Sequence, residues 1–169
     1  MITEEDIPVL LSVGKDNVYI WEKGETRLHE NEAAEILREM CQGEYMHPTP
    51  VKEGKIELVA DIDGLLKVDS DKMKKVNGMR ELMIASRHGN FAVKKGDKLA
   101  GTRIIPLVIE REKMEQAKAV CEGEPILELK PFVHKKVGIV TTGNEVYYHR
   151  IEDTFTPVIK EKLAEYDTE

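Results

Sequence analysis

Polar side chains that could bind a small ligand are concentrated in one stretch near the end of the sequence. The apolar run 137–140 leads into the turn Thr141-Thr142-Gly143-Asn144-Glu145, and the polar pair Asp153-Thr154 precedes a helical pattern that continues to Tyr166. This order predicts a buried strand, a glycine turn, and a helix whose N-terminus points back over the end of the strand. Open α/β sheets bind anions and nucleotides with this arrangement.

The residue types in this turn are those that a polar ligand requires. Thr142, Asn144 and Glu145 would offer a hydroxyl, an amide and a carboxylate. Asp153 and Thr154 would cap the facing helix. An ordinary strand-to-loop turn has the same residue types, so the spacing alone leaves both interpretations open.

Two strings in this region, VGIVTTGNEV at 137–146 and EDTFTPVIKEKLAEYD at 152–167, resemble the beginning of the molybdopterin-binding domain of molybdenum-cofactor biosynthesis proteins. The strings HENEAA at 29–34 and EEDIPVLL at 4–11 are similar to parts of the molybdopterin molybdotransferase branch of that family. The sequence departs from the family at His149, where relatives often carry glycine.

The resemblance implies molybdopterin as the ligand and a role in making or handling the molybdenum cofactor. The residues that it implies for cofactor binding are Thr142, Gly143, Asn144, Glu145, Asp153 and Thr154. The family's later strand, with its Thr-Gly-Gly turn, and its acidic loops would lie past Glu169. We therefore expect this chain by itself to be inactive and to hold no bound cofactor, and the resemblance leaves open whether the full-length protein is a molybdotransferase-like enzyme.

Composition limits the kinds of protein that this can be. The chain has 169 residues, of which 41% are hydrophobic, enough for the core of one ordinary domain or of two small ones. A net charge of -7 argues against binding to nucleic acid, which requires a concentrated basic surface. The sequence has no long apolar run and begins with acidic residues, which indicates a cytoplasmic protein without a membrane partner.

Cysteines and histidines are not spaced as metal ligands. Cys41 and Cys121 each lie near the end of a helical pattern, which favours two reduced structural thiols. No two histidines are three or four residues apart, so we expect no zinc site. The Asp-Ile-Asp-Gly string at 61–64 lacks the distal glutamate of a calcium loop, and turn formation explains its carboxylates.

Changes of pattern along the chain predict an α+β protein in three regions. Residues 1–44 are the end of an N-terminal helix and strand unit, and residues 45–130 form a β-rich central domain with helices. Residues 131–169 are the first strand and helix of an incomplete α/β domain. The two prolines within 45–50 mark the linker between the first two regions.

The N-terminal region is predicted to hold two helices and a strand. Thr3, with Asp6 three residues later, marks the beginning of the first helix, and 18–21 has the pattern of a short strand. A second helix over 29–42 has apolar residues at helical spacing and is closed by Gly43.

The central region is predicted to be mainly antiparallel. Alternating runs on either side of Asp63-Gly64 indicate a hairpin over 56–68, and a second hairpin is expected around His88-Gly89-Asn90. Pro106 cannot donate a ladder hydrogen bond and should interrupt the strand that contains it. A helix is expected over 111–122.

These paired strands also resemble the small barrel sandwiches of lipoyl and biotinyl carrier domains, with VKKGD at 93–97 before LAGT at 99–102. Neither hairpin tip carries the lysine to which such domains attach their prosthetic group, so only the architecture is shared. The alternative function is therefore a noncatalytic regulatory or protein-interaction module.

The C-terminal region should need a partner. Apolar residues fall along one stripe of the last helix at Phe155, Ile159, Leu163 and Tyr166. Because such a stripe and an apolar strand edge favour burial, we expect the protein to be a homo-oligomer.

Overall fold

The computed structural model describes residues 3–17, 24–166 and 168–169. Six α-helices and nine strands occur in this part of the chain, which confirms the predicted α+β class. The helices are α1 (Ile7–Ser12), α2 (Glu30–Cys41), α3 (Ser70–Gly78), α4 (Arg111–Val120), α5 (Asn144–Tyr147) and α6 (Phe155–Ala164). The strands are β1 (Arg27–His29), β2 (Met46–Pro48), β3 (Lys55–Ala60), β4 (Gly64–Val68), β5 (Leu82–Ser86), β6 (Phe91–Val93), β7 (Lys98–Ile104), β8 (Val108–Glu110) and β9 (Leu127–Pro131).

The strands form three antiparallel sheets. A four-stranded sheet has the order β2-β3-β7-β5, a three-stranded sheet has the order β6-β4-β9, and β1 pairs with β8. The predicted antiparallel character of the central region is confirmed, and so is the interruption at Pro106, which lies between β7 and β8. None of the helices in the described residues combines the length and the apolarity needed to cross a membrane.

The predicted hairpin around Asp63-Gly64 is wrong, because β3 and β4 belong to different sheets. The Asp63 carboxylate accepts a hydrogen bond from the Lys95 backbone N–H at 2.7 Å, so Asp63 contacts the segment between β6 and β7. A Cβ atom on Gly64 would lie 2.5 Å from the Lys130 carbonyl oxygen. Gly64 is therefore needed for close approach to β9 and not for a hairpin turn.

The second predicted hairpin is also wrong. β5 pairs with β7, whereas β6 pairs with β4, so the two strands on either side of the 88–90 turn lie in separate sheets. The backbone N–H of Arg87 donates to the Leu99 carbonyl, and that of Asn90 donates to the Leu66 carbonyl. β5 and β6 therefore each form their backbone hydrogen bonds with a more distant strand and not with each other.

Helix α2 covers the four-stranded sheet and carries much of the core. Its buried residues include Ala33, Leu37 and Met40, which follow the helical spacing that predicted this element. Helix α2 ends at Cys41, just before Gly43 as predicted, but Gly43 is not among the glycines with positive φ. A Cβ there would lie 2.4 Å from the Leu127 carbonyl oxygen, so the absence of a side chain lets β9 approach the end of α2.

The stretch 45–50, predicted as a linker, contains β2, which pairs with β3. Pro48 is tolerated because β2 is an edge strand of its sheet. The predicted strand over 18–21 lies outside the described residues. The predicted helix over 111–122 is present as α4, and its apolar face is buried at Met114 and Ala117.

The C-terminal region differs most from the sequence prediction. The predicted buried strand over 137–140 is wrong, because the segment has no regular structure and Val140 is 86% exposed. Among the described residues, its backbone forms a hydrogen bond only with Glu169, where the Val137 N–H donates to the Glu169 carbonyl at 2.7 Å. No described residue from 131 onward is buried, whereas the core residues span Leu28 to Leu129.

Candidate functional site

The N-terminus of α6 is capped by Asp153. Its Oδ1 accepts hydrogen bonds from the backbone N–H of Phe155 at 2.9 Å and of Thr156 at 3.1 Å. The Thr156 hydroxyl donates to the other carboxylate oxygen. This hydroxyl and the two backbone donors lower the pKa of Asp153 to about 2. The side chain of Thr154, for which a capping role was predicted, forms no capping hydrogen bond.

Thr141 connects the polar turn to the beginning of α6. Its hydroxyl donates to Asp153 Oδ2 at 3.1 Å and lies 3.0 Å from the Thr156 hydroxyl oxygen. The three side chains form one hydrogen-bonded cluster that holds the turn 141–145 against the helix N-terminus. The predicted proximity of turn and helix is therefore present, although the strand that was expected to bring it about is not.

Neither Thr141 nor Thr156 was among the predicted site residues. The sequence places Thr141 at the beginning of the turn and Thr156 in the helix, and it assigns neither a role in the site. The signal that could have identified Thr156 is its position three residues after Asp153, which is the spacing of a side-chain cap and its amide donor.

Gly143 shapes the turn itself. Its φ of 133° is open to few residues other than glycine, and an added Cβ would lie 2.7 Å from Glu145 Oε1. The Glu145 carboxylate therefore folds back over the Gly143 backbone. Short helix α5 follows directly, and the Tyr147 N–H donates to the Gly143 carbonyl at 2.9 Å.

The side chains of Thr142, Asn144 and Glu145 are exposed and stand on one short turn. Together they supply hydroxyl and amide donors and a carboxylate acceptor. The first backbone N–H groups of α6 already donate to the Asp153 carboxylate. This helix N-terminus can therefore bind an anion only if the Asp153 cap is displaced. The turn is suited to a ligand with N–H donors and not to a phosphate.

A cleft lies away from the turn 141–145, between the end of α2 and β9. It encloses about 580 Å³ and includes Tyr45, Pro125 and Leu129 among its apolar lining residues. Glu44, Glu124 and Glu128 give it a mainly acidic lining, to which Lys130 also belongs, with its Nζ 3.2 Å from Glu128 Oε1. The turn 141–145 contributes nothing to this cleft.

Comparison of the chain with known protein families, with curated proteins and with solved structures finds no match.

Proposed function

We propose that this chain belongs to a molybdopterin-binding protein that makes or handles the molybdenum cofactor, and that the turn 141–145 contacts the pterin ring. The single observation that supports this most is the Thr141, Asp153 and Thr156 cluster. It fixes a turn that carries a hydroxyl, an amide and a carboxylate against the beginning of a helix. The resemblance of 137–146 and 152–167 to the pterin-binding family concerns the same residues.

The donor set of the turn fits one part of the cofactor. The aminopyrimidinone edge of a pterin presents neighbouring N–H donors, which a carboxylate such as that of Glu145 accepts in pairs. Asn144 can donate to the ring carbonyl, and Thr142 can donate or accept. When bound, molybdopterin would supply the sulfur atoms that hold molybdenum. The chain's own residues would orient the ring, and the phosphate of the cofactor would be held away from the capped end of α6.

A binding titration tests this proposal directly. Because this chain by itself is expected to hold no cofactor, molybdopterin, handled without oxygen, is added to the full-length wild-type protein and to its N144A/E145A double variant, and the fluorescence of the pterin is followed. We expect saturable binding to the wild-type protein and at least about a tenfold loss of affinity in the variant, because hydrogen bonds to a charged group are removed. E161A, which removes the same charge from the exposed part of α6, is the control and should bind as the wild type does.

Equal affinity in the double variant and in the wild-type protein would reject the turn as the pterin site. Absence of saturable binding by the full-length wild-type protein would favour the second candidate function, a noncatalytic regulatory or protein-interaction module. The observation that favours this alternative is the exposure of large apolar side chains after β9, including Phe155 at 78%.

We further propose that the protein is cytoplasmic and forms homo-oligomers. The free thiols of Cys41 and Cys121 are both buried, and reduced cysteines are usual in the cytoplasm. The exposed apolar residues of the C-terminal region provide the surface on which two copies would associate.

A further inference from the structure

Three positively charged residues lie in a row across the exposed face of the four-stranded sheet. Lys52 is paired with Lys55 across a tight turn, and Lys55 is the register partner of Arg103 on β7. Directly opposite residues on antiparallel segments project from the same face with their Cβ atoms about 5 Å apart. Like charges in this position repel each other. We call these residues the cation row.

The turn that begins the cation row is held rigidly. Glu53 and Gly54 have φ values of 51° and 67°, as expected for a type I′ turn, and the Lys52 and Lys55 backbones exchange two hydrogen bonds of 3.0 Å. The Gly54 N–H donates to Asn31 Oδ1 at 3.0 Å, and its carbonyl accepts from the Ile104 N–H at 2.9 Å. These contacts tie the turn to α2 and β7, so the repulsion cannot be relieved by moving the backbone.

Nearby carboxylates neutralise only one member of the cation row, Lys55. Glu57 accepts from Lys55 Nζ at 2.8 Å with one oxygen, and its other oxygen contacts Lys98 Nζ at 2.7 Å. These two lysines lower the pKa of Glu57 to about 2 and use both of its oxygens. The side chains of Lys52 and Arg103 form no ion pair with any carboxylate of the described residues.

A concave surface accompanies the cation row. A pocket of about 330 Å³ is lined by the row together with Thr49, Glu53 and Glu57. The Thr49 hydroxyl oxygen accepts from the Glu57 N–H at 3.0 Å, which leaves its proton available to a ligand. The pocket therefore combines two unpaired cations and a hydroxyl donor on a fixed backbone, which is the set of groups that binds a phosphate.

The neighbouring part of the sheet face is open. Gly101 lies in the middle of β7, and an added Cβ there would meet nothing within 4 Å. A glycine within a strand weakens it and often marks a place where another molecule approaches the backbone. Ala85, its register partner on β5, is also small. A flat group attached to the phosphate would lie on this surface.

We propose that the cation row is a binding site for the phosphate group of a small phosphorylated molecule. The occupant would pair with Lys52 and Arg103, the two members of the cation row that form no ion pair with a carboxylate of the described residues. This site is separate from the turn 141–145, and its test does not depend on pterin binding.

Titration of the chain with pyrophosphate, followed by amide chemical shifts and by calorimetry, tests the proposal. We expect saturable binding with shifts centred on 49–57 and 101–104. R103Q should weaken binding about tenfold or more, because it removes a charge-assisted contact. K75Q removes one positive charge from an exposed position on α3 and should bind as the wild type does.

Thermal unfolding separates this site from a merely structural role of Arg103. Without pyrophosphate, R103Q should unfold at the same temperature as the wild-type chain or at a higher one, because it removes a repulsion. With pyrophosphate, only the wild-type chain and K75Q should gain stability. Equal weakening by R103Q and K75Q, or no saturable binding to the wild-type chain, would overturn the proposal. Tighter binding of a single-stranded oligonucleotide than of pyrophosphate, lost in R103Q, would overturn the assignment to a small molecule.

Discussion

Asp153 connects the two parts of the candidate pterin site, because its carboxylate contacts both the helix and the turn. Its carboxylate accepts from two α6 amides and from the hydroxyls of Thr141 and Thr156. The predicted ligand residues Thr142, Asn144 and Glu145 have no comparable anchor, so their position depends on this carboxylate.

Replacing Asp153 with alanine should loosen the C-terminal region and leave the core intact. We expect faster amide exchange over 155–164 in D153A, unchanged exchange in β3 and β7, and a return of protection in D153N, since asparagine also caps helices. E152A, at the neighbouring exposed position, is the control. Unchanged exchange over 155–164 in D153A would show that the cap does not hold α6.

The lowered pKa of Asp153 predicts how the stability of helix α6 depends on acid pH. The pKa of Asp153 is about 2 in the folded chain, below its ordinary value of 3.8. The cap is therefore fully stabilising above pH of about 4 and is lost as the pH falls from there through about 2. Amide exchange of α6 relative to that of the core, measured between pH 5 and pH 2, should increase in this window for the wild type and show no such step in D153A.

Gly43 shows how one residue controls packing in the core. G43A would place a methyl group 2.4 Å from the Leu127 carbonyl oxygen, so the backbone of α2 or β9 must shift. We expect a loss of about 1 to 3 kcal/mol in the free energy of unfolding by urea. Gly78 has no atom within 4 Å of an added Cβ, and G78A should not destabilise the chain. Equal effects of the two substitutions would contradict this account.

At the scale of elements, the sequence predicts local structure well and strand pairing poorly. The spacing of Ala33, Leu37 and Met40 identifies α2 because a helical face depends only on near neighbours. The pairing of β4 with β9 joins segments about sixty residues apart, so no residue in a local turn indicates this pairing in the sequence. The cation row was missed for the same reason, since Lys55 and Arg103 become neighbours only through the register of β3 and β7.

The candidate site was predicted in part. The Thr141 to Glu145 turn and the beginning of α6 are visible in the sequence as a glycine turn and a cap residue. The strand over 137–140 was not formed because an apolar run needs a neighbouring strand for its backbone, and the described residues provide only the Glu169 contact.

Cross-linking distinguishes the observed strand pairing from the predicted hairpin. Lys67 and Glu128 are register partners on β4 and β9, so K67C/E128C should form a disulfide on mild oxidation. A hairpin turning at Asp63-Gly64 would instead bring Lys67 opposite Ala60, and A60C/K67C should remain reduced in the folded chain. Mass spectrometry after oxidation and alkylation gives the result. A disulfide in A60C/K67C but not in K67C/E128C would reject the sheet topology.

At the scale of the whole molecule, the chain divides into a packed part and an exposed part. The buried core spans Leu28 to Leu129, and exposed apolar residues follow it, including Val140, Tyr147 and Phe155. An apolar surface of this kind favours association with another surface. The candidate site lies on the exposed part, in which no described residue is buried.

Self-association should therefore depend on the exposed part. We expect light scattering after size exclusion to give a dimer for the full chain and a monomer for a version ending at Pro131, which keeps β9. The V140S/F155S variant of the full chain should dissociate more readily, because it makes two exposed apolar side chains polar. A monomeric full chain over the whole concentration range would contradict the proposed homo-oligomer.

Amide chemical-shift mapping tests most directly whether the turn 141–145 contacts a pterin, as we propose. A pterin without a phosphate, 6-hydroxymethylpterin, is titrated into the isotopically labelled full-length protein. The account predicts saturable shifts for the amides of 141–145 and 153–156 and none for Lys52, Lys55 and Arg103. No shift in the turn at saturating pterin, or shifts confined to the acidic cleft beside β9, would contradict it.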